Sequence, residues 1–83
     1  MNMEIEAKKS LLLLFGKKLH KIRSDKGISY RELAQLCDVD HSQISKIEKG
    51  LVSLQLTTLF ELAKGLEIHP QKLLDIDFDG REL

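Results

Sequence analysis

Two helix-start signatures stand close together in the middle of this chain, and they leave room only for two short helices joined by a tight turn. Ser29-Tyr-Arg-Glu32 is a capping box: the serine hydroxyl can accept from the third helical amide while the glutamate reaches back to the serine amide. Asp40-His-Ser-Gln43 repeats that logic with an aspartate cap, and its Gln43 has a rival use away from the cap. Gly27 before and Gly50 after stand where helix-ending glycines stand. Leu33, Ala34, Leu36 and Cys37 supply a buried face for the first of these helices, Ile44 and Ile47 for the second. Asp38 to Asp40 is the turn, with Asp38 suited to the left-handed backbone that most residues resist.

The remaining segments also read as helices. Phe15, Leu19 and Ile22 recur at helical spacing with Leu11 or Leu12 one turn earlier, which predicts a helix from Lys8 to about Asp25. Leu56, Leu59, Phe60, Leu62, Ala63 and Leu66 predict a fourth helix, with Gln55, Thr57 and Thr58 competing for its cap. His69-Pro70 opens a fifth, since proline in a first turn forfeits no hydrogen bond, and Leu73, Leu74 and Ile76 are its apolar positions. The expectation is an all-α fold of five helices. Residues 1–10 extend the first helix, 11–76 form the domain, and 77–83 are a frayed acidic tail.

With 83 residues the chain makes one modest core, to which partner burial can add stability. Its single cysteine, Cys37, excludes an internal disulfide, and Leu11 to Phe15 is too short to cross a bilayer. The N-terminus lacks a signal-peptide pattern, so a cytoplasmic setting without membrane contact is expected. Cys37, His20, His41 and His69 fit no zinc spacing, and no nucleophile motif or phosphate loop appears. No metal, no cofactor and no enzymatic activity are expected. Net charge is zero, but its distribution is uneven: Lys8 to Lys49 holds ten bases against five acids, residues 50–83 three against six. The basic half suits a polyanion.

In Tyr30-x3-Ala34-x3-Asp38-x5-Ile44-x2-Ile47, a small residue sits where two helices cross and branched residues pin the second helix from beneath. Together with Phe15-Gly-Lys-Lys-Leu-His-Lys-Ile-Arg23 and Ile44-Ser-Lys-Ile-Glu-Lys-Gly50, this pattern resembles the phage-repressor/Cro-type (XRE) helix-turn-helix family. The resemblance covers about Leu14 to Leu74. The short length and Ser53-Leu-Gln-Leu-Thr-Thr-Leu59 look similar to restriction–modification controller proteins. It implies a lambda-repressor-like fold with the helix-turn-helix at helices two and three, and a transcriptional regulator that binds double-stranded DNA as a homodimer.

The resemblance places base reading on His41, Ser42, Gln43 and Lys46. Their chemistry is compatible: Gln pairs with adenine, Lys with guanine, and Ser or His with either. Ser29, Tyr30, Arg31 and Lys49 are the candidate phosphate contacts, through side chains and through the free amides of a helix N-terminus. The family also implies an Arg23–Glu48 ion pair between helices one and three. Tyr30 stands where most members carry Gln, Asp38 where a turn glycine is usual, and Leu54 where proline is common. Four successive leucines cannot share one helix face, so Leu13 and Leu14 either face solvent or cover a partner. Ile68, Pro70 and Leu73 are the second set of dimer candidates. The alternative reading is a protein-interaction module of antitoxin type, which brings a toxin, or polymerase, into the range of partners.

Overall fold

A computed structural model describes residues 3–82; Met1 and Asn2 of the expected N-terminal extension and Leu83 of the expected tail lie outside the described residues. Its helices are α1 (Met3–Asp25), α2 (Tyr30–Gln35), α3 (His41–Glu48), α4 (Leu56–Leu66) and α5 (Pro70–Leu73), followed by a short 3-10 turn (Gly80–Glu82). No strand occurs among the described residues. Helix α1 starts a turn earlier than periodicity predicts, because Glu4 and Glu6 complement the positive end of its dipole and Ala7 is buried. It ends at Gly27, whose φ of +73° suits a residue without Cβ.

Both predicted caps of the central motif form. Ser29 Oγ accepts from the Glu32 amide at 3.0 Å and Glu32 Oε1 accepts from the Ser29 amide at 2.8 Å, closing the box. Asp40 Oδ1 accepts from the Gln43 amide at 2.8 Å. Gly50, at φ +72°, ends α3 with its N–H on the Ile47 carbonyl. Gln55 occupies the N-cap position of α4 without a side-chain bond, and the His69 ring caps α5.

The core joins Phe15 and Leu19 of α1, Leu33 of α2, Val39 of the turn, and Ile44 and Ile47 of α3. It continues through Leu59, Leu62, Ala63 and Leu66 of α4 to Leu73 of α5. Ala34 packs against it half-buried. Helix α1 crosses the end of α3 so closely that a Cβ on Gly16 would lie 2.5 Å from the carbonyl oxygens of Ile47 and Glu48. The glycine is therefore required by the approach of two backbones.

Several expectations are corrected. Leu36 is 54% exposed, because α2 stops at Gln35 and Leu33 alone faces the core fully. Leu56 and Phe60 are 70% and 54% exposed: α4 buries the stripe 59, 62, 63, 66, and these two fall on its flank. Leu74 lies past the last turn of α5 and is exposed. Asp38 does not take the left-handed conformation; Glu67, the C-cap of α4, is the one non-glycine residue with positive φ among those described. The turn is tied instead to α4, where Glu61 Oε1 accepts the Asp38 amide at 2.9 Å. Ile76 lies beyond α5 and is half-buried, and Phe78, also half-buried, precedes the 3-10 turn, which packs on α1.

Gly16→Ala drives a methyl group into backbone that cannot step aside, and should destabilise the protein by about 1–3 kcal/mol. Gly80→Ala, whose Cβ would meet nothing within 4 Å, is the matched control. Urea unfolding of both variants measures the difference; equal midpoints would show that α1 and α3 can separate freely.

Candidate nucleic-acid interface

Helix α3 is held from beneath and open above. Ile44 and Ile47 are 0% and 1% exposed, whereas His41, Ser42 and Lys46 face solvent and Gln43 is half-buried. The four expected base readers thus share the outer side of one short helix, three of them within its first turn. Gln43 closes only half of the second capping box. Its backbone amide binds Asp40, but its side chain makes no hydrogen bond to protein among the described residues, and Ser42 Oγ instead donates to Asp40 Oδ1 at 2.8 Å. The carboxamide is left available. The Gln43 amide, followed by Ser42, holds the Asp40 carboxyl below the usual carboxylate range, so the cap is charged at neutral pH.

The ends of α3 are tied to the rest of the motif. Arg23 Nε donates to Glu48 Oε2 at 2.6 Å, Nη2 to Glu48 Oε1 at 2.9 Å and Nη1 to the Ile28 carbonyl at 2.7 Å. The two side chains are 10% and 9% exposed. His20 Nδ1 stands 3.0 Å from Glu48 Oε1 and 3.1 Å from Arg23 Nη2. Burial pushes the Glu48 carboxyl up, but the hydrogen bonds from Arg23 and His20 and the Arg23 charge outweigh it and hold the group below its ordinary value. The hydrogen bond to Glu48 raises Arg23 in turn. The Arg23 guanidinium also lies 5.7 Å from the centre of the Tyr30 ring, within cation–π range. The Tyr30 ring is 6.4 Å from that of His41, tilted by 34°. Arg23 thereby connects the last residue of α3 with the first residues of α2 and α3.

Arg31 and Lys49 are exposed at the start of α2 and just past α3. Ser29 Oγ accepts its capping bond and keeps its own proton to donate. Neither Lys46, Arg31 nor Lys49 is in an ion pair among the described residues. The sequence reading missed His20 and Glu61; each meets its partner across more than twenty residues, so no local spacing marks it. Among the described residues, no group of three or more His, Cys, Asp or Glu could hold a metal ion, and no helix is long and apolar enough to cross a membrane.

Of the dimer candidates, Leu73 is corrected: it is 0% exposed in the core and has no side-chain surface for a partner. Leu13 is 48% exposed and backs onto Gly50, while Leu14, Ile68 and Pro70 are half-buried. An apolar hollow of about 340 Å³ lies between α1 and α4, lined by residues that include Leu11, Leu12, Phe15, Leu59 and the exposed Leu56 and Leu74.

The sequence matches the HTH_3 helix-turn-helix family over residues 19–73. It is 37% identical over 72 residues to the control protein C.BamHI of Bacillus amyloliquefaciens, spanning 86% of this chain and 89% of that one. Its fold is similar to the restriction-modification controller protein C.AhdI from Aeromonas hydrophila, with a TM-score of 0.76 and 34% identity over 78% of this chain and 94% of that one. It is also similar to the restriction-modification controller protein C.Esp1396I, solved as a tetramer in complex with its natural 35 base-pair operator. There the TM-score is 0.72 and the identity 31%, covering 78% and 86% of the two chains.

Removing Glu48 leaves the Arg23 cation largely buried without its counter-charge. Glu48→Ala should cost about 3–5 kcal/mol at neutral pH. The folded pKa of Glu48 is depressed, so its contribution is full above the unfolded carboxylate pKa and is lost as pH falls through the folded value. Denaturation between pH 7 and pH 3 should therefore show a shallower acid loss in Glu48→Ala than in the parent. Parallel curves would rule out this carboxylate as a source of the acid sensitivity.

Proposed function

The chain belongs to the HTH_3 helix-turn-helix family, and on that premise we propose that it is a sequence-specific transcriptional regulator reading a palindromic operator as a homodimer. The observation that carries this reading is the outer side of α3. His41, Ser42, Gln43 and Lys46 present donors and acceptors from a helix whose underside is anchored by Ile44 and Ile47. Such a helix fits a major groove, where glutamine suits adenine, lysine suits guanine, and serine or histidine serves either. Ser29, Tyr30, Arg31 and Lys49 flank it and act on phosphates, which fixes the register of the helix without specifying bases. The chemistry is binding, not catalysis.

Likeness to the control protein C.BamHI and to the restriction-modification controller protein C.AhdI, along most of each chain, supports a narrower role, control of the genes of a restriction–modification system. Repression by blocking polymerase is the first mode this predicts, with activation from an upstream site the second. Pairing is supported by economy: one eight-residue helix spans a short half-site, and a symmetric partner doubles it. Candidate apolar surface for pairing lies at Leu13 and Leu14 on α1, at Ile68 before α5 and Pro70 at its start, and around the hollow rimmed by Leu56 and Leu74.

Duplexes selected from a random library by the full chain should share an inverted repeat, and affinity for them should fall steeply as salt is raised. Lys46→Ala should cost about 1–3 kcal/mol in that assay and relax the preference at one position of each half-site. No detectable duplex binding at low salt would overturn the assignment. Sedimentation should show self-association at micromolar concentration; a strict monomer with and without DNA would overturn the homodimer.

A further inference from the structure

Glu61 lies on α4, outside both helices of the reading motif, yet it is bonded to the turn between them. Its Oε1 accepts the Asp38 backbone N–H at 2.9 Å and lies 3.2 Å from Lys64 Nζ. Asp38 has no positive φ, so no left-handed residue shapes this turn, and its anchorage to the rest of the domain is tertiary. Two contacts supply it. Val39, 6% exposed, is buried in the core, and the Glu61 carboxylate takes the amide beside it. Asp40 follows immediately, and its carboxylate receives the Gln43 amide and the Ser42 hydroxyl, both at 2.8 Å. A short path therefore runs from α4 through Glu61, Asp38 and Asp40 to the first turn of α3.

We propose that Glu61 is a positioning residue for DNA reading, setting the orientation of α3 through the Asp38 amide. The proposal rests on the reading of α3 as the DNA-contacting helix. The hydrogen bond is charge-assisted, which makes it stronger than a neutral one. The Asp38 amide, then Lys64, holds the carboxyl below its ordinary value, so the acceptor is ionised at neutral pH. The ion pair with Lys64 is exposed and adds little by itself. The contribution of Glu61 to the motif is its bond to the turn.

Charge and geometry make opposite predictions here. A carboxylate on a DNA-binding protein repels phosphates, so on electrostatics alone its removal leaves binding unchanged or strengthens it, the more so because Lys64 is freed. Positioning predicts loss. The test uses the full chain and a duplex that the parent protein selects from a random library. Glu61→Ala should bind that duplex about tenfold more weakly, the scale of one lost hydrogen bond to a charged group. Glu61→Asp keeps the charge but is one methylene too short to reach Asp38, and should behave like alanine. Glu61→Gln loses the charge but keeps an oxygen that can accept the amide, and should stay within about threefold of the parent.

The Asp38 amide proton should lose its exchange protection in the alanine and aspartate variants and keep it in the glutamine variant. Should Glu61→Ala fail to fold by circular dichroism, the aspartate and glutamine variants decide between the two orders. Alanine and glutamine binding as tightly as the parent or tighter, with aspartate unchanged, would overturn the role of Glu61 while leaving the DNA reading intact. A parent protein that selects no duplex would overturn the DNA reading itself, and this proposal with it.

Discussion

Arg23 carries a full positive charge into the interior, and the arrangement of the first three helices follows from satisfying it. Glu48 takes two of its donors and the Ile28 carbonyl a third, while the Tyr30 ring lies at its face. A buried ion pair gains little net stability over apolar residues of the same volume, because desolvation offsets attraction. Its consequence is geometric. A guanidinium has a rigid fork of donors, so α1, the loop before α2 and the end of α3 can meet in few other ways. Gly16 completes the constraint by letting the α1 backbone approach the very turn that Glu48 occupies.

Helix α3 is held in place by these contacts and by its own cap. Its last residue is tied to α1 by Arg23, its underside is set in the core by Ile44 and Ile47, and its start is fixed by the Asp40 cap. Eight residues are too few to form a stable helix alone in water, so packing and capping, more than propensity, must hold it. A helix held at both ends and along one side presents its remaining side chains in a defined frame, which recognition of base edges demands.

What the sequence disclosed was local, and what it concealed was tertiary. Both caps and both terminal glycines were legible because each is decided within four or five residues of chain. The Arg23–Glu48 pair was available through resemblance, and its partners His20 and Ile28 were not. Leu36, Leu56, Phe60 and Leu74 looked like core because apolar residues outnumber the positions that one short helix can bury; only the packing decides which stripe goes inside. Leu73 erred the other way, since a residue assigned to a partner surface closes the core of α5. Asp38 was judged by its own conformational tolerance, whereas the turn is held by a carboxylate on α4.

Zero net charge constrains how such a protein can bind DNA. Nonspecific affinity comes from Lys and Arg displacing the counterions condensed on phosphates, and a chain with as many acids as bases has little of it to spare. Ten of the thirteen basic residues precede Gly50, seven of them between Lys8 and Lys26, whereas the acids divide seven before it and six after, so the positive field is carried mainly by α1 and the residues that follow it. A single domain with that balance would hold random sequence weakly. On the proposed reading, occupancy of a chosen site would come from contacts that two copies make together and from a helix α3 already held in one orientation. The tethers on α3 supply the second of these, and the apolar surface beside α4 is the candidate proposed for the first.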